Sequence, residues 1–196
     1  MNKGMAAGLV LAGAAALGGL GLVGAYNGLV ALDEGVKQAW AQVENVYQRR
    51  LDLIPNLVET VKGYAAHEKS TFLAVTEARA KAARVLSPDV INDPQKFQAF
   101  QESQLALSSA LSRLLVVVEK YPDLKASGNF LSLQTQLEGT ENRIAVERGR
   151  FNEAARTFNT RFRRFPTNVI GRSFGFKMKE YFNAEEGAKT APRVAF

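Results

Sequence analysis

Apolar side chains recur three and four positions apart through most of this chain. From Leu29 they fall at Leu32, Val36, Trp40, Val43 and Tyr47, and after a gap at Ile54, a period of roughly 3.5 that turns one helix face toward a core. Pro55 interrupts: it has no amide hydrogen to donate and its ring crowds the carbonyl of Leu51, so a kink or a turn is expected there. A second stripe runs Leu57, Val61, Tyr64, Glu68, Phe72, Val75, Arg79, Ala82 and Leu86. Ser87, Pro88 and Asp89, then Asn92, Asp93 and Pro94, set cap-forming residues beside prolines and mark connections. A third stripe, from Phe97 through Phe100, Gln104, Leu107, Leu111, Leu114 and Val118 to Tyr121, stops at Pro122. After the turn residues Ser127, Gly128 and Asn129, the fourth runs from Phe130 to Phe162 and ends before Pro166. No stretch alternates with period two for long enough to make a sheet. The expected fold class is all-α, an antiparallel four-helix bundle with long helices crossing at about 20°.

Outside the stripes lie two segments of different character. Gly4 to Leu32 is 29 residues without a charge, holding eight glycines and eight alanines. Glycine costs a water-exposed helix about 1 kcal/mol per position, whereas small residues suit helices packed in lipid, and about 20 apolar residues cross a bilayer core. A transmembrane anchor over residues 1–32 is expected. A cleaved signal, cut after Ala14 or Ala16, is the competing assignment; it would leave the apolar run Leu17 to Leu32 in place. Small residues four apart, at Gly4, Gly8, Ala12 and Ala16, at Gly21 and Ala25, and at Gly24 and Gly28, offer a face to a second copy, or recur by composition alone. Lys3 precedes the span, while Asp33, Glu34, Lys37 and Glu44 follow it, which favours a cytoplasmic N-terminus and a bundle on the outer face. The bundle is expected over residues 33–166. Past Pro166 come Phe174, Phe176, Tyr181 and Phe182 among glycines, too aromatic for a disordered tail; residues 167–196 are expected to lie on the bundle or a neighbouring subunit.

Charge and composition then narrow the chemistry. With 25 Lys+Arg against 19 Asp+Glu the net charge is +6 over 196 residues, and only Lys3 of that excess precedes residue 33. There are no cysteines and one histidine, His67, which excludes disulfides, thiolate catalysis, Cys-ligated metal and any site needing two imidazoles. Glycine-rich phosphate loops, a nucleophile elbow and EF-hand patterns are missing from the sequence too. No enzyme activity, cofactor, nucleic acid or small-molecule substrate is expected.

Three groups of residues remain. Glu68, Arg79, Glu141 and Arg148 stand inside apolar stripes, where an unpaired charge is costly; interhelical salt bridges are expected, with an acid/base site as the alternative. Asn45, Arg49, Arg50, Asp52, Pro55 and Asn56 gather around the proline, either to satisfy the backbone it frees or as a partner-docking corner. Arg161, Arg163 and Arg164 alternate with Phe162 and Phe165, a pattern fit for anionic lipid headgroups or for a solvated, dipole-favoured helix end.

Several runs in order carry a family resemblance: Trp40 to Asn45, Arg49 to Val58 with its Asp-Leu-Ile-Pro-Asn-Leu-Val core, Tyr64 to Glu68, Ala78 with Arg79, Glu119 to Ala126, Thr140 to Ala145, and Phe165 to Ile170. From about Tyr26 to Phe196 the chain resembles the LemA family of bacterial proteins. The resemblance implies a single-pass inner-membrane protein with a helical bundle, and brings no activity with it. Phe151 and Phe158, each before an asparagine, depart from the Tyr-Asn that the family often has. The expected function is a membrane-anchored scaffold or adaptor in the bacterial cell envelope. Its expected partners are membrane lipids, a second copy of itself and other envelope proteins. A lipid- or polymer-binding module using the basic end of the fourth helix, and an enzyme using the Glu/Arg cluster, are the alternatives.

Overall fold

The computed structural model describes residues 3–183, without the side chains of residues 3, 5–12 and 14–18. Among the described residues the fold is all-α: α1 (Lys3–Lys62), α2 (Lys69–Val85), α3 (Pro94–Val118), a single turn α4 (Pro122–Lys125), α5 (Gly128–Phe162) and α6 (Thr167–Ser173), with a 3₁₀ turn at Pro88–Asn92. Local chemistry sets several of these ends. Asp93 caps α3 by accepting from the amides of Gln95 and Lys96 at 2.9 and 3.3 Å, and Pro94 fills the first helical position, where no amide hydrogen is needed. α3 ends at Val118 and α5 at Phe162, each four residues ahead of the proline expected to stop it.

Of the two outcomes expected at Pro55, a kink or a turn, the turn does not occur. Pro55 lies within α1, which continues to Lys62, and the chain turns instead at Gly63–Glu68. The reason lies one helix away. The carbonyl of Leu51, four residues before the proline, has lost its helical donor, and Arg79 of α2 replaces it, Nε donating to that oxygen at 2.8 Å. With the orphaned acceptor satisfied and Pro55 exposed to water, the helix passes through.

The four long helices alternate in direction. Arg50 of α1 meets Glu141 of α5, and Leu29 lies beside Phe162 and Gly171, so these two helices run antiparallel. Trp40 and Tyr47 of α1 meet Phe97 and Phe100 of α3 in the same order, so that pair is parallel. Their buried faces form two apolar clusters. One gathers Leu51, Ile54, Leu57, Phe72, Leu107, Leu114 and Phe130; the other is aromatic, with Trp40, Tyr47, Phe97, Phe100, Phe151 and Phe158. Into the second cluster enters Phe182, from the extended segment after α6.

The bundle also begins earlier than residue 33. Ala25 and Leu29 are buried, and Tyr26 packs against Phe174 and Phe176, ring centroids 4.7 and 6.0 Å away. Before Ala25, α1 holds 21 residues from Gly4 to Gly24, about 31 Å of helix. Leu20, Leu22 and Val23 are exposed there. Half of the expected anchor, residues 1–3, 5–12 and 14–18, has side chains outside the described residues, and among the described residues no helix is long and apolar enough to cross a membrane. Residues 184–196 of the expected tail are likewise outside the description.

At this junction glycine is required for space. A Cβ on Gly171 would sit 2.7 and 2.8 Å from ring carbons of Phe162 and 3.0 Å from Leu29 Cδ1, all on buried side chains. Gly171→Ala is expected to destabilise the full-length protein by about 1–3 kcal/mol through overpacking, measured by urea unfolding in detergent. An unchanged midpoint would mean that α6 is not seated against α1.

Candidate functional site

The charges inside the stripes pair differently from the sequence expectation. Glu141 reaches across to α1, its Oε1 2.8 Å from Nε of Arg50, and Arg50 Nη2 donates to Ser108 Oγ at 2.7 Å. The arginine side chain is 4% exposed and the glutamate 43%, so a buried cation is held by a carboxylate at the water's edge. Arg148 is instead set over the ring of Phe182, 4.6 Å from its centroid, and Arg79 holds the Leu51 carbonyl. Glu68 stands at the N-cap of α2, partly exposed. The spacing of seven between Glu141 and Arg148 puts both on one face of α5, and each finds its partner elsewhere, Glu141 on α1 and Arg148 on the segment after α6. Gln104, fully buried beside them, finds no protein partner for either amide atom, next to a cleft of about 30 Å³ lined by Tyr47, Arg50, Gln104, Ser108, Glu141 and Arg148. Arg50 and Gln104 fall along α1 and α3 between Tyr47 and Phe100 of one apolar cluster and Leu51 and Leu107 of the other, while Leu86 packs against both. Glu68 does not line that cleft, and among the described residues no three His, Asp or Glu side chains converge as metal ligands.

The residues around Pro55 do not make a corner, because no turn exists there. Asn45, Arg49, Asp52 and Asn56 are exposed along one continuous helix, Asp52 accepting from Gln48 at 2.8 Å, while Arg50 points inward. Of the small residues read as a self-association face, Ala25 is buried within this chain and is closed to a second copy. Gly4, Gly21, Gly24 and Gly28 have open space beside them. Gly8, Ala12 and Ala16 have side-chain positions outside the description.

A second polar arrangement had no counterpart in the sequence reading. The segment after α6 runs back along α5 and is fastened by two asparagines seven residues apart. Asn159 donates to the Lys179 carbonyl and accepts from the Lys179 amide, both at 2.8 Å. Asn152 does the same for Phe182 at 2.9 Å each way. Between these clasps Lys179 turns inward, 4% exposed, its Nζ 2.8 Å from Asp33 Oδ1 and 2.9 Å from Asn92 Oδ1, and 5.3 Å from the centroid of Phe158. Lys37 lies 3.0 Å from the other Asp33 oxygen. Burial alone would raise the Asp33 carboxyl, but hydrogen bonds and charge from Lys179 and Lys37 outweigh it and hold the group below the ordinary aspartate value. The available signal was Phe151-Asn152 and Phe158-Asn159, an amide beside each buried ring.

At the end where α1 leaves the bundle, Arg161, Arg163 and Arg164 are exposed on the last turn of α5 and just beyond it. Arg161 and Arg164 line an open cleft of about 350 Å³ with Leu32, Arg156, Thr157 and Thr160. Arg156 is already paired with Glu153 at 2.7 Å.

A sequence model of the LemA family matches residues 39–196, which takes in the last 24 residues of α1 and everything after it. The chain belongs to the LemA family. Among its relatives are the magnetosome protein MamQ of Magnetospirillum gryphiswaldense, 26% identical over an alignment covering 84% of this chain and 67% of that protein, and MamQ 2 of Paramagnetospirillum magneticum, 28% identical with the same coverage. Protein LemA of Metamycoplasma hominis is 25% identical over 84% of this chain and 71% of its own. The runs that carry the LemA resemblance meet pairwise in the fold: Leu51 before the proline with Arg79, and Arg50 with Glu141. The departures from LemA Tyr-Asn, Phe151 and Phe158, are fully buried among other rings.

Proposed function

We propose that this LemA-family chain is a membrane-anchored scaffold or adaptor of the bacterial envelope, doing no chemistry of its own and binding proteins through its bundle. The observation that carries the reading is the continuity of α1: its first part is uncharged from Gly4 to Gly24 and exposed at Gly4, Gly13 and residues 19–24, and its second part is a bundle helix. Whatever environment receives the first part therefore fixes the second. The length of the uncharged part, about 31 Å, matches a bilayer core of roughly 30 Å. Lys3 before the span, and Lys37 as the one cation among the charges at positions 33 to 44, favour a bundle on the outer face. Arg161 to Arg164 lie too far along the chain to enter that rule. Open space beside Gly21, Gly24 and Gly28 leaves a face for a second copy.

Crosslinking in intact cells, followed by alkaline carbonate washing, tests this. The full-length protein is expected in the washed membranes, in adducts with itself and with defined envelope proteins. A chain released by carbonate, or one found in membranes without protein adducts, would sink the proposal.

A further inference from the structure

The end of the bundle from which residues 4–24 emerge is unlike the rest of its surface. Phe165 is 83% exposed, and Val169 and Phe174 are exposed beside it. All three belong to the turn, α6 and the residue following it, held against α1 at Tyr26 and Leu29. Four arginines, Arg161, Arg163, Arg164 and Arg172, surround them in solvent. Of the carboxylates of this region, Glu34 pairs with Lys37, Asp33 with Lys37 and Lys179, and Glu153 with Arg156, which leaves exposed Glu180 against the four arginines. The balance there is positive. Large rings that the fold could have turned inward are presented outward instead, in a ring of cations.

We propose that this end is a foot that enters the surface of an anionic bilayer. Phe165, Val169 and Phe174 insert among headgroups and upper acyl chains, and Arg161 and Arg164 bind a lipid phosphate in the cleft beside Leu32. The inference rests on the anchor reading, and goes beyond it by fixing where the bilayer surface lies. Gly4 to Gly24 uses up one hydrocarbon core, so the surface falls near Ala25, with no linker to hold the bundle away. Tyr26, half-buried there against Phe174 and Phe176, occupies the level at which aromatic side chains concentrate in membrane proteins. Apolar residues at that level with cations around them have the composition of an interfacial contact, and phosphate is the partner that planar guanidinium donors fit. The occupant of the surface is thus the same membrane that receives the anchor.

The chain has no cysteine, so Val169→Cys carrying a nitroxide reports depth at the foot, and Leu73→Cys on exposed α2 serves as reference. The full-length protein is reconstituted in phosphatidylcholine vesicles with and without phosphatidylglycerol, and accessibility to oxygen is compared with accessibility to a charged nickel chelate. In the anionic vesicles the ratio at 169 is expected to exceed that at 73 by about tenfold, because apolar surroundings exclude charge. It should fall when phosphatidylglycerol is omitted and when Arg161→Ala and Arg164→Ala are combined. Equal ratios at 169 and 73 overturn the foot, and a ratio at 169 indifferent to lipid charge and to the arginines overturns the phosphate assignment. Flotation of the same vesicles at alkaline pH separates the two readings. Protein that floats with a water-exposed label keeps the anchor and refutes the foot; protein that does not float refutes both.

Discussion

Phe182→Ala is expected to lower the unfolding free energy of the full-length protein by about 3–5 kcal/mol, the usual cost of removing a buried phenylalanine. The ring of Phe182 lies within 6.3 Å of four others, those of Trp40, Phe97, Phe100 and Phe151, so its loss leaves a hole at the centre of the aromatic cluster. It also strips the face from under the Arg148 guanidinium. The cost should exceed that of an ordinary tail truncation, because two clasps hold the backbone of this segment and prevent its neighbours from closing in. Trp40 is the single tryptophan and stacks on Phe182 at 6.2 Å. Its emission therefore reports the change directly: urea unfolding should shift to lower concentration, and the folded variant should emit at longer wavelength. A loss below about 1 kcal/mol with unchanged emission would mean that the cluster closes without the tail.

Asp33→Asn should cost about 3 kcal/mol by leaving the Lys179 ammonium buried without its carboxylate. Asn92 remains as a neutral acceptor and cannot offset the charge. Replacing both partners, Asp33→Leu with Lys179→Met, should return most of that loss, since an apolar pair of similar size has no charge to strand. The same pair makes acid sensitivity testable. A carboxyl held below its unfolded value contributes stability above that value and loses it as pH falls through the folded one. Stability of the native protein should therefore decline below about pH 4, and the Asp33→Asn variant should show a shallower decline. Chemical unfolding across that range gives both slopes. Parallel slopes, or a double variant no better than the single, would refute the pair.

The helices were legible because their period is local. The first, third and fourth stripes each name one helix's buried face, whereas the second crosses from α1 through the turn at Gly63–Glu68 into α2 and includes Tyr64, which is exposed; Pro122 and Pro166 act on the residues beside them. What the sequence concealed was pairing between elements. Pro55 reads in isolation as a kink or a turn, and only the packing of α2 brings Arg79 to the Leu51 carbonyl. Glu141 and Arg148 share a face, yet one turns to Arg50 and the other to a ring from the C-terminal segment. Asp33 and Lys179 stand at opposite ends of the bundle's sequence, with nothing local to link them. The asparagines at 152 and 159 were visible as a repeat, but an amide beside a buried phenylalanine states only that a backbone will be held, and leaves open which one.

The continuity of α1 through Pro55 has a mechanical consequence. From Ala25 to Lys62 is 38 residues, about 57 Å of helix, and no swivel separates it from the segment below. With that segment in a bilayer, any tilt it adopts to match membrane thickness is carried as a lever arm. A change of about 10° would swing the far end by about 10 Å, so the position of the distal turn at Gly63 becomes a gauge of how thick the membrane is beneath it.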